Sequence, residues 1–318
     1  MVSLTLSVII VSYNTRDMTL RCLRALSREL EGLTTEIFVV DNASSDGSVE
    51  AIQREFPDVK LLVNEGNRGF GAANNQALRL ARGEFFLLLN SDAFPRPQAI
   101  ERLLESAAAH PRAAVVGPRL LNGDGSLQLS CYRFPSPLKS VWENCLLAAA
   151  LPDHPVFGDF RNWDHDEERE VDFVIGACWL VRREAAEEVG FFDEEFFLYG
   201  EETDWAKRFW AAGWSVLFTP VAEVVHLGGG SGQTQADRVF NEFHRAQERF
   251  MRKHYGGMGL VVYRVTTIFG ACLRMILFLI AALCRARQRR HYLTLMTQWK
   301  RILLWSLGKR GPGLQETA

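Results

Sequence analysis

Two hydrophobic rhythms take turns along the first third of the chain. Leu6–Val11 is an apolar run ending in Ser12-Tyr13-Asn14, the pattern of a strand buried on both faces. From about Asp17 to Leu30 the spacing turns helical, with Leu20, Leu23, Leu26 and Leu30 on one side. Glu36–Val40, Val59–Val63 and Glu84–Leu89 read as further strands, and Ser48–Phe56, Phe70–Ala81 and Gln98–Ala109 as helices. This alternation predicts an α/β fold with a mostly parallel sheet covered on both faces. Beyond it, Ala114–Val116, Val171–Val181 and Ser215–Phe218 read as strands and Glu202–Ala212 as a helix. The stretch 131–170, rich in Pro, Asp and aromatics, reads as irregular loops or short helices.

The rhythm matters for chemistry because an open α/β sheet binds ligands outside the carboxyl ends of its strands. Acids stand at several such ends. Asp41 closes the run Val39-Val40 and is suited to accept hydrogen bonds from a nucleobase or ribose. Asp46 or Ser48 reads instead as a cap for the next helix. Asn67-Arg68-Gly69 precedes a helix; its glycine allows close backbone approach and Arg68 can face an anion, although a plain tight turn explains the same residues. Asp92, in Asn90-Ser91-Asp92, has no basic neighbour within its turn, which suits a hard divalent cation (Mg²⁺ or Mn²⁺) shared with phosphates. Glu201, Glu202 and Asp204 follow a run of aromatics, where burial can raise a carboxyl toward the range of a general base. His226, before Gly228-Gly229-Gly230-Ser231, is either structural or a metal ligand beside a diphosphate.

Bulk properties narrow the class. The chain has 318 residues, 47% apolar and 23% charged, which suits a folded protein with a substantial core. Its six cysteines are scattered without a Cys-x-x-Cys pair, which argues against a disulfide framework or structural zinc and for a reducing compartment. The first basic residue is Arg16 and Leu4–Ser12 reads as a strand, so no charged secretory leader is expected. The net charge of −2 hides a division: residues 251–318 hold twelve Lys and Arg against the single acid Glu316. The expected organisation is therefore a catalytic domain over 1–250 and a basic, apolar helical tail over 251–318.

Taken together, these motifs resemble family 2 glycosyltransferases, particularly the rhamnosyltransferase-like group. The resemblance rests on Val8–Asn14, the Asp41–Asp46 segment, Asn67-x-Gly69 with Asn74, Leu-Leu-Leu-Asn90-Ser91-Asp92, Gly176-Ala177-Cys178, Gly200-Glu201-Glu202-x-Asp204 and His226, in the expected order over about 6–235. It implies the GT-A fold, a nucleotide-diphospho-sugar donor, a divalent metal and inversion at the anomeric carbon. Asp41 would hold the nucleoside, and Asp92 the metal and diphosphate, with His226 as the metal-binding histidine. Ser12, Tyr13, Asn14, Asn67, Arg68, Gly69, Asn74, Asn90 and Ser91 would line the donor site, and Gly176-Ala177 would lie near the sugar. Two departures stand out. The family's Asp-x-Asp is here Asn90-Ser91-Asp92, and its Glu-Asp base motif is Glu201-Glu202, with Glu202 in the position of the catalytic aspartate. The base is thus open among Glu202, Glu201 and Asp204. Rhamnose from a dTDP donor is the leading expectation, and cell-surface polysaccharide synthesis the setting.

Rival classes fare less well. A nucleotidyltransferase should carry a glycine-rich, basic loop near its N-terminus, and Leu6–Asn14 has none. A dehydrogenase needs its glycine loop after the first strand, whereas here it follows the third. A non-catalytic sugar-nucleotide-binding or scaffold protein of the same fold remains the alternative. In the tail, Leu260–Cys284 is long enough to span a bilayer but is interrupted by Arg264 and Arg274. That pattern predicts helices lying in the membrane interface, with arginines reaching lipid phosphate, on a peripheral or monotopic protein at the cytoplasmic face. It points to a lipid-linked glycan acceptor, not to nucleic acid, and an exposed apolar tail also suits a homodimer.

Overall fold

The computed structural model describes residues 5–151, 154, 158, 160, 163–228 and 236–309. In chain order the elements are β1 (Leu6–Ser12), α1 (Arg16–Glu29), β2 (Thr35–Asp41), α2 (Ser48–Glu55), β3 (Lys60–Val63), α3 (Phe70–Leu78), β4 (Phe85–Asn90), β5 (Ala93–Pro95), α4 (Ala99–Ala109) and β6 (Ala113–Leu121). They continue with β7 (Leu127–Gln128), β8 (Cys131–Tyr132), α5 (Pro137–Asn144), α6 (Leu147–Ala150), β9 (Arg169–Glu170), β10 (Phe173–Val174), β11 (Cys178–Arg182) and α7 (Arg183–Val189). The last are α8 (Glu201–Ala211), β12 (Ser215–His226), α9 (Ala236–Cys284) and α10 (Arg289–Ser306). Two compact units emerge: Met1–Phe134 with Trp163–Ala246, and Pro135–Asn162 with Gln247–Ala318.

The first unit is built on a mixed, mostly parallel sheet of order β3-β2-β1-β4-β11-β6-β12-β5. β11 runs antiparallel to both its neighbours, and β5 runs antiparallel to β12 at the edge. Period-two alternation sorts the side chains. Leu6, Val8 and Ile10 of β1 join Leu20, Leu23 and Leu26 of α1, Ile52 of α2 and Leu103 of α4 in one core. On β11, Trp179 stacks with Trp205 of α8, which also packs on Phe192 and Phe209. Both layers of the sheet are therefore covered, as the unbroken apolar strands require.

Register places the site. Ser12 pairs with Asp41, Asp41 with Val63, and Val11 with Asn90, so the carboxyl ends of β1, β2, β3 and β4 share one rim. β12 reaches the same level from further along the sheet, because it pairs in parallel with β6.

Two expectations need correction. The single strand over Val171–Val181 is two: β10 pairs with β8 in a separate small sheet, and only β11 joins the main one. The strand expected to stop at Phe218 runs on to His226. Pro220 lacks the donor a ladder needs, but the register shift between Thr219 and Glu223 absorbs it as a bulge. In 131–170 the short helices α5 and α6 agree with expectation, and the two-residue strands β8 and β9 add to them.

In the second unit, Ser136 caps α5 by accepting from Lys139 N at 3.0 Å, and Pro137 opens the helix. α9 breaks at Gly256, whose φ of 68° leaves the helical region. The interrupting arginines do not reach outward. Arg264 makes a two-pronged pair with Glu248 at 2.9 and 2.6 Å. Arg274 donates to the carbonyls of Glu143 and Asn144 at 2.7 and 3.3 Å and stacks on Trp299. The expectation that both extend to lipid phosphate is therefore wrong: protein acceptors satisfy them.

Candidate active site

The loops at the rim are tied to one another by a ring of short contacts, and the candidate residues sit on that ring. Asp41 is fully buried at the end of β2; Oδ1 accepts from Ser44 N at 2.9 Å, while the buried Oδ2 has no partner among the described residues. A buried carboxylate oxygen left this way costs free energy unless a ligand supplies a donor. Asn14, held at a φ of 52°, accepts from Ser45 N at 2.8 Å and so joins the β1 loop to the β2 loop. Ser12 turns inward to Thr19 at 3.0 Å, and Ser91 meets Thr15 at 3.0 Å. Tyr13 stands half-buried beside them. Asp46 accepts from Arg16 N and Ser48 N at 2.8 and 3.1 Å, which serves the starts of α1 and α2 together.

Asn42, absent from the residues expected at the site, is the hub of the next link. Its amide donates to Asn67 Oδ1 and the Gly69 carbonyl at 2.9 and 3.2 Å, and its oxygen accepts from Arg68 N at 3.0 Å. Gly69 has a φ of 85°, and any β-carbon there would strike the Phe197 carbonyl, which accepts from Phe70 N at 2.9 Å. The Asn67–Gly69 loop is thereby fastened to the segment that leads into α8. Asn74 donates to Phe70 O within its own helix, whereas Asn75 brackets Phe192, accepting from its N–H and donating to its carbonyl. Asn42 was legible as the neighbour of Asp41; Asn75 carried only the signal of a second Asn inside a helix.

Glu201 and Glu202 open α8 behind Gly200 (φ 81°). They diverge. Glu201 is buried against Gly71 of α3, and its Oε2 has no partner among the described residues. Glu202 is half-buried and packs on Gly176. Burial raises both carboxyls above their ordinary range, and the neighbouring Glu202 raises Glu201 further. Glu202 is the less buried of the two, so its ionised form has the better access to solvent. Asp204 is fully buried and accepts from Arg208 Nε at 2.9 Å, while Arg208 also binds the Val189, Gly190 and Phe191 carbonyls.

Beyond Gly176, the Ala177 carbonyl accepts from Asn90 N at 3.0 Å, which carries the ring to β4. Cys22 and Cys178 are buried here; burial pushes the Cys178 thiol up to about 12, so neither is poised as a nucleophile. β5 pairs Ala93 with His226, and Leu227 N donates to the Asp92 carbonyl at 3.1 Å. This brings Asp92 Oδ1 within 3.4 Å of His226 Nε2, while His226 Nδ1 meets Gln128 Oε1 at 2.7 Å. Gly229, Gly230 and Ser231 of the glycine loop lie outside the described residues. Among the described residues, no group of three or more His, Cys, Asp or Glu side chains could hold a metal alone. A cation held by Asp92 and His226 would need further oxygens from a ligand, a combination suited to a diphosphate.

Comparison with known proteins agrees with this architecture. The model for glycosyl transferase family 2 matches residues 7–190. The N-acetylglucosaminyl-diphospho-decaprenol L-rhamnosyltransferase of Mycobacterium tuberculosis is 30% identical over 90% of this chain and 96% of its own length. The low-salt glycan biosynthesis hexosyltransferase Agl10 of Haloferax volcanii is 27% identical over 64% of this chain and 61% of its own. Among solved structures, the mannosyltransferase PcManGT of Pyrobaculum calidifontis, in complex with GDP-Man and Mn²⁺, superposes with a TM-score of 0.54. It is 19% identical, covering 96% of this chain and 86% of that one, a likeness of fold. With the rim ring, the mixed sheet and these matches in agreement, the chain belongs to glycosyl transferase family 2, a glycosyltransferase built on the GT-A fold.

Proposed function

We propose that this enzyme transfers rhamnose from dTDP-rhamnose, with inversion, to a hydroxyl of a lipid-linked glycan in cell-surface polysaccharide synthesis. The carrying observation is that Asp41, Asp92, Glu202 and His226 stand on one ring of contacts at the carboxyl ends of the strands. The choice of donor and acceptor is supported by the near full-length likeness to the mycobacterial rhamnosyltransferase.

In this reading the unpartnered Asp41 Oδ2 accepts from the nucleoside, and the glycine-cleared loop Asn67–Gly69 lies along the donor. Asp92 and His226 hold a divalent cation, whose charge would offset that of the leaving diphosphate. Glu202, set against Gly176 at the rim, takes the proton of the acceptor hydroxyl as that oxygen attacks the anomeric carbon from the face opposite the diphosphate. Glu201 stays protonated beside it. Asp204 holds Arg208, and through it the 189–191 turn, in place.

The tail supports a lipid-linked acceptor. The helix within Asp237–Cys284 is long and apolar enough to cross a membrane. Every exposed residue from Gly257 to Cys284 is uncharged, and Arg285, Arg287, Arg289 and Arg290 follow, all exposed. This face suits the anionic cytoplasmic leaflet.

The test is transfer and donor hydrolysis with dTDP-, UDP- and GDP-sugars, with Mn²⁺ and with EDTA. Turnover of dTDP-rhamnose that EDTA abolishes is expected; a preference for another nucleotide overturns the donor assignment, and full turnover in EDTA overturns the metal.

A further inference from the structure

His226 stands at the end of a hydrogen-bond chain whose polarity the backbone dictates. Asn122 Nδ2 donates to the Leu127 carbonyl at 3.2 Å and to Ser126 Oγ at 2.9 Å. A carbonyl can only accept, so the opposite end of that amide is the oxygen and needs a donor. Gln128 Nε2 supplies it at 3.0 Å and also donates to the His226 carbonyl at 3.1 Å. Two main-chain carbonyls thus fix the orientation of both amides. Gln128 Oε1 is left facing His226 Nδ1 at 2.7 Å. An amide oxygen cannot donate, so Nδ1 carries a hydrogen, and in the neutral ring, the form that can bind a metal, the lone pair is on Nε2, 3.4 Å from Asp92 Oδ1.

With the ring neutral, Nε2 and Asp92 Oδ1 are two facing acceptors, an arrangement that a cation between them stabilises. Loop and strand hold them there regardless. Leu120 and Leu121 pair with Gln128 and Leu127 across the hairpin, Asn122 N donates to Ser126 O at 2.8 Å, and Asp124 accepts from Ser126 N at 2.9 Å. The tight turn between β6 and β7 therefore sets Gln128 against β12.

We propose that Gln128, oriented by Asn122, is a positioning residue that locks His226 in its Nδ1–H tautomer, so that Nε2 and Asp92 present one electron-rich face to a divalent cation. This rests on the metal assignment above. Outer partners of metal-binding histidines commonly act this way, and their loss weakens metal affinity by ~10- to 100-fold.

The test is Mn²⁺ binding by electron paramagnetic resonance with dTDP present, together with the His226 tautomer read by ¹⁵N NMR of the metal-free protein. Gln128→Met should weaken Mn²⁺ at least tenfold and release the tautomer into a mixture, with dTDP binding in EDTA unchanged. Unaltered Mn²⁺ affinity or an unaltered Nδ1–H tautomer in Gln128→Met overturns the inference. Should Asp92→Asn and His226→Ala also leave Mn²⁺ affinity untouched, the metal assignment itself fails and takes this inference with it.

Discussion

Glu202 and Gly176 face each other at the rim: a β-carbon on Gly176 would lie 3.6 Å from Glu202 Cβ and 3.7 Å from its Cγ. That is ordinary van der Waals distance, so Gly176→Ala fits and should lower turnover only a few-fold. Gly176→Val cannot fit without moving the carboxylate. Displacing a reacting group by ~1 Å costs roughly 10²-fold, which is the expected fall in kcat with donor binding retained. A Gly176→Val enzyme of normal kcat would separate Glu202 from the chemistry.

The adjacent carboxyls give a sharper pair of outcomes. Glu202→Gln should abolish turnover while keeping donor affinity. Glu201→Gln mimics the protonated state proposed for Glu201, so turnover should stay within about threefold and the acid limb of the pH–rate profile should hold its place. Stability behaves differently. Glu201 has a raised pKa in the folded state, so its contribution is full below the ordinary carboxylate range and is lost as pH rises through the folded value. Denaturant melts of Glu201→Gln should lack that decline. Loss of activity in Glu201→Gln, with Glu202→Gln active, would exchange their roles.

What the sequence made legible, and what it hid, divides along physical lines. Strands β1, β2 and β4 announce themselves because both their faces are buried, and each ends in the polar residues that form the rim. The course of β12 was hidden because Pro220 reads as a terminator, and only a partner strand can show that a bulge carries the chain past it. The fates of Arg264 and Arg274 were equally hidden: a helical wheel shows which side an arginine occupies, not that Glu248 or a carbonyl waits there. Gln128 gave no signal, since its importance is a matter of hydrogen-bond direction.

Asp41 and Gly69 test the donor side. Asp41→Asn keeps an oxygen for Ser44 N but replaces the orphaned carboxylate oxygen with a donor. Nucleotide affinity should fall by about 1.5–3 kcal/mol, the range for a hydrogen bond to a charged group. Calorimetric titration with dTDP reads this directly, and an unchanged Kd would remove Asp41 from the nucleoside site. Gly69→Ala forces a side chain against the Phe197 carbonyl at positive φ, so unfolding in urea should show a loss of ~1–3 kcal/mol.

The tail offers a test that separates lipid from protein as its partner. Met258, Val261, Val265, Phe269, Cys272, Ile276, Ile280 and Leu283 are all exposed, at steps of three and four that keep them on one helical face. Two copies laid together along this face would also bring basic ends into contact, because residues 251–309 contain no acid to pair with them. An anionic bilayer meets both the apolar face and the charge. Flotation with vesicles containing phosphatidylglycerol should therefore recover the protein, less so as salt rises. Each of Arg285, Arg287, Arg289 and Arg290 changed to Gln should weaken recovery by about fivefold, corresponding to ~1 kcal/mol per basic residue near the surface. Val265→Asp with Phe269→Asp should abolish it at any salt. A lipid-free dimer in sedimentation, dispersed by that same double change and indifferent to vesicles, would assign the face to a second copy instead.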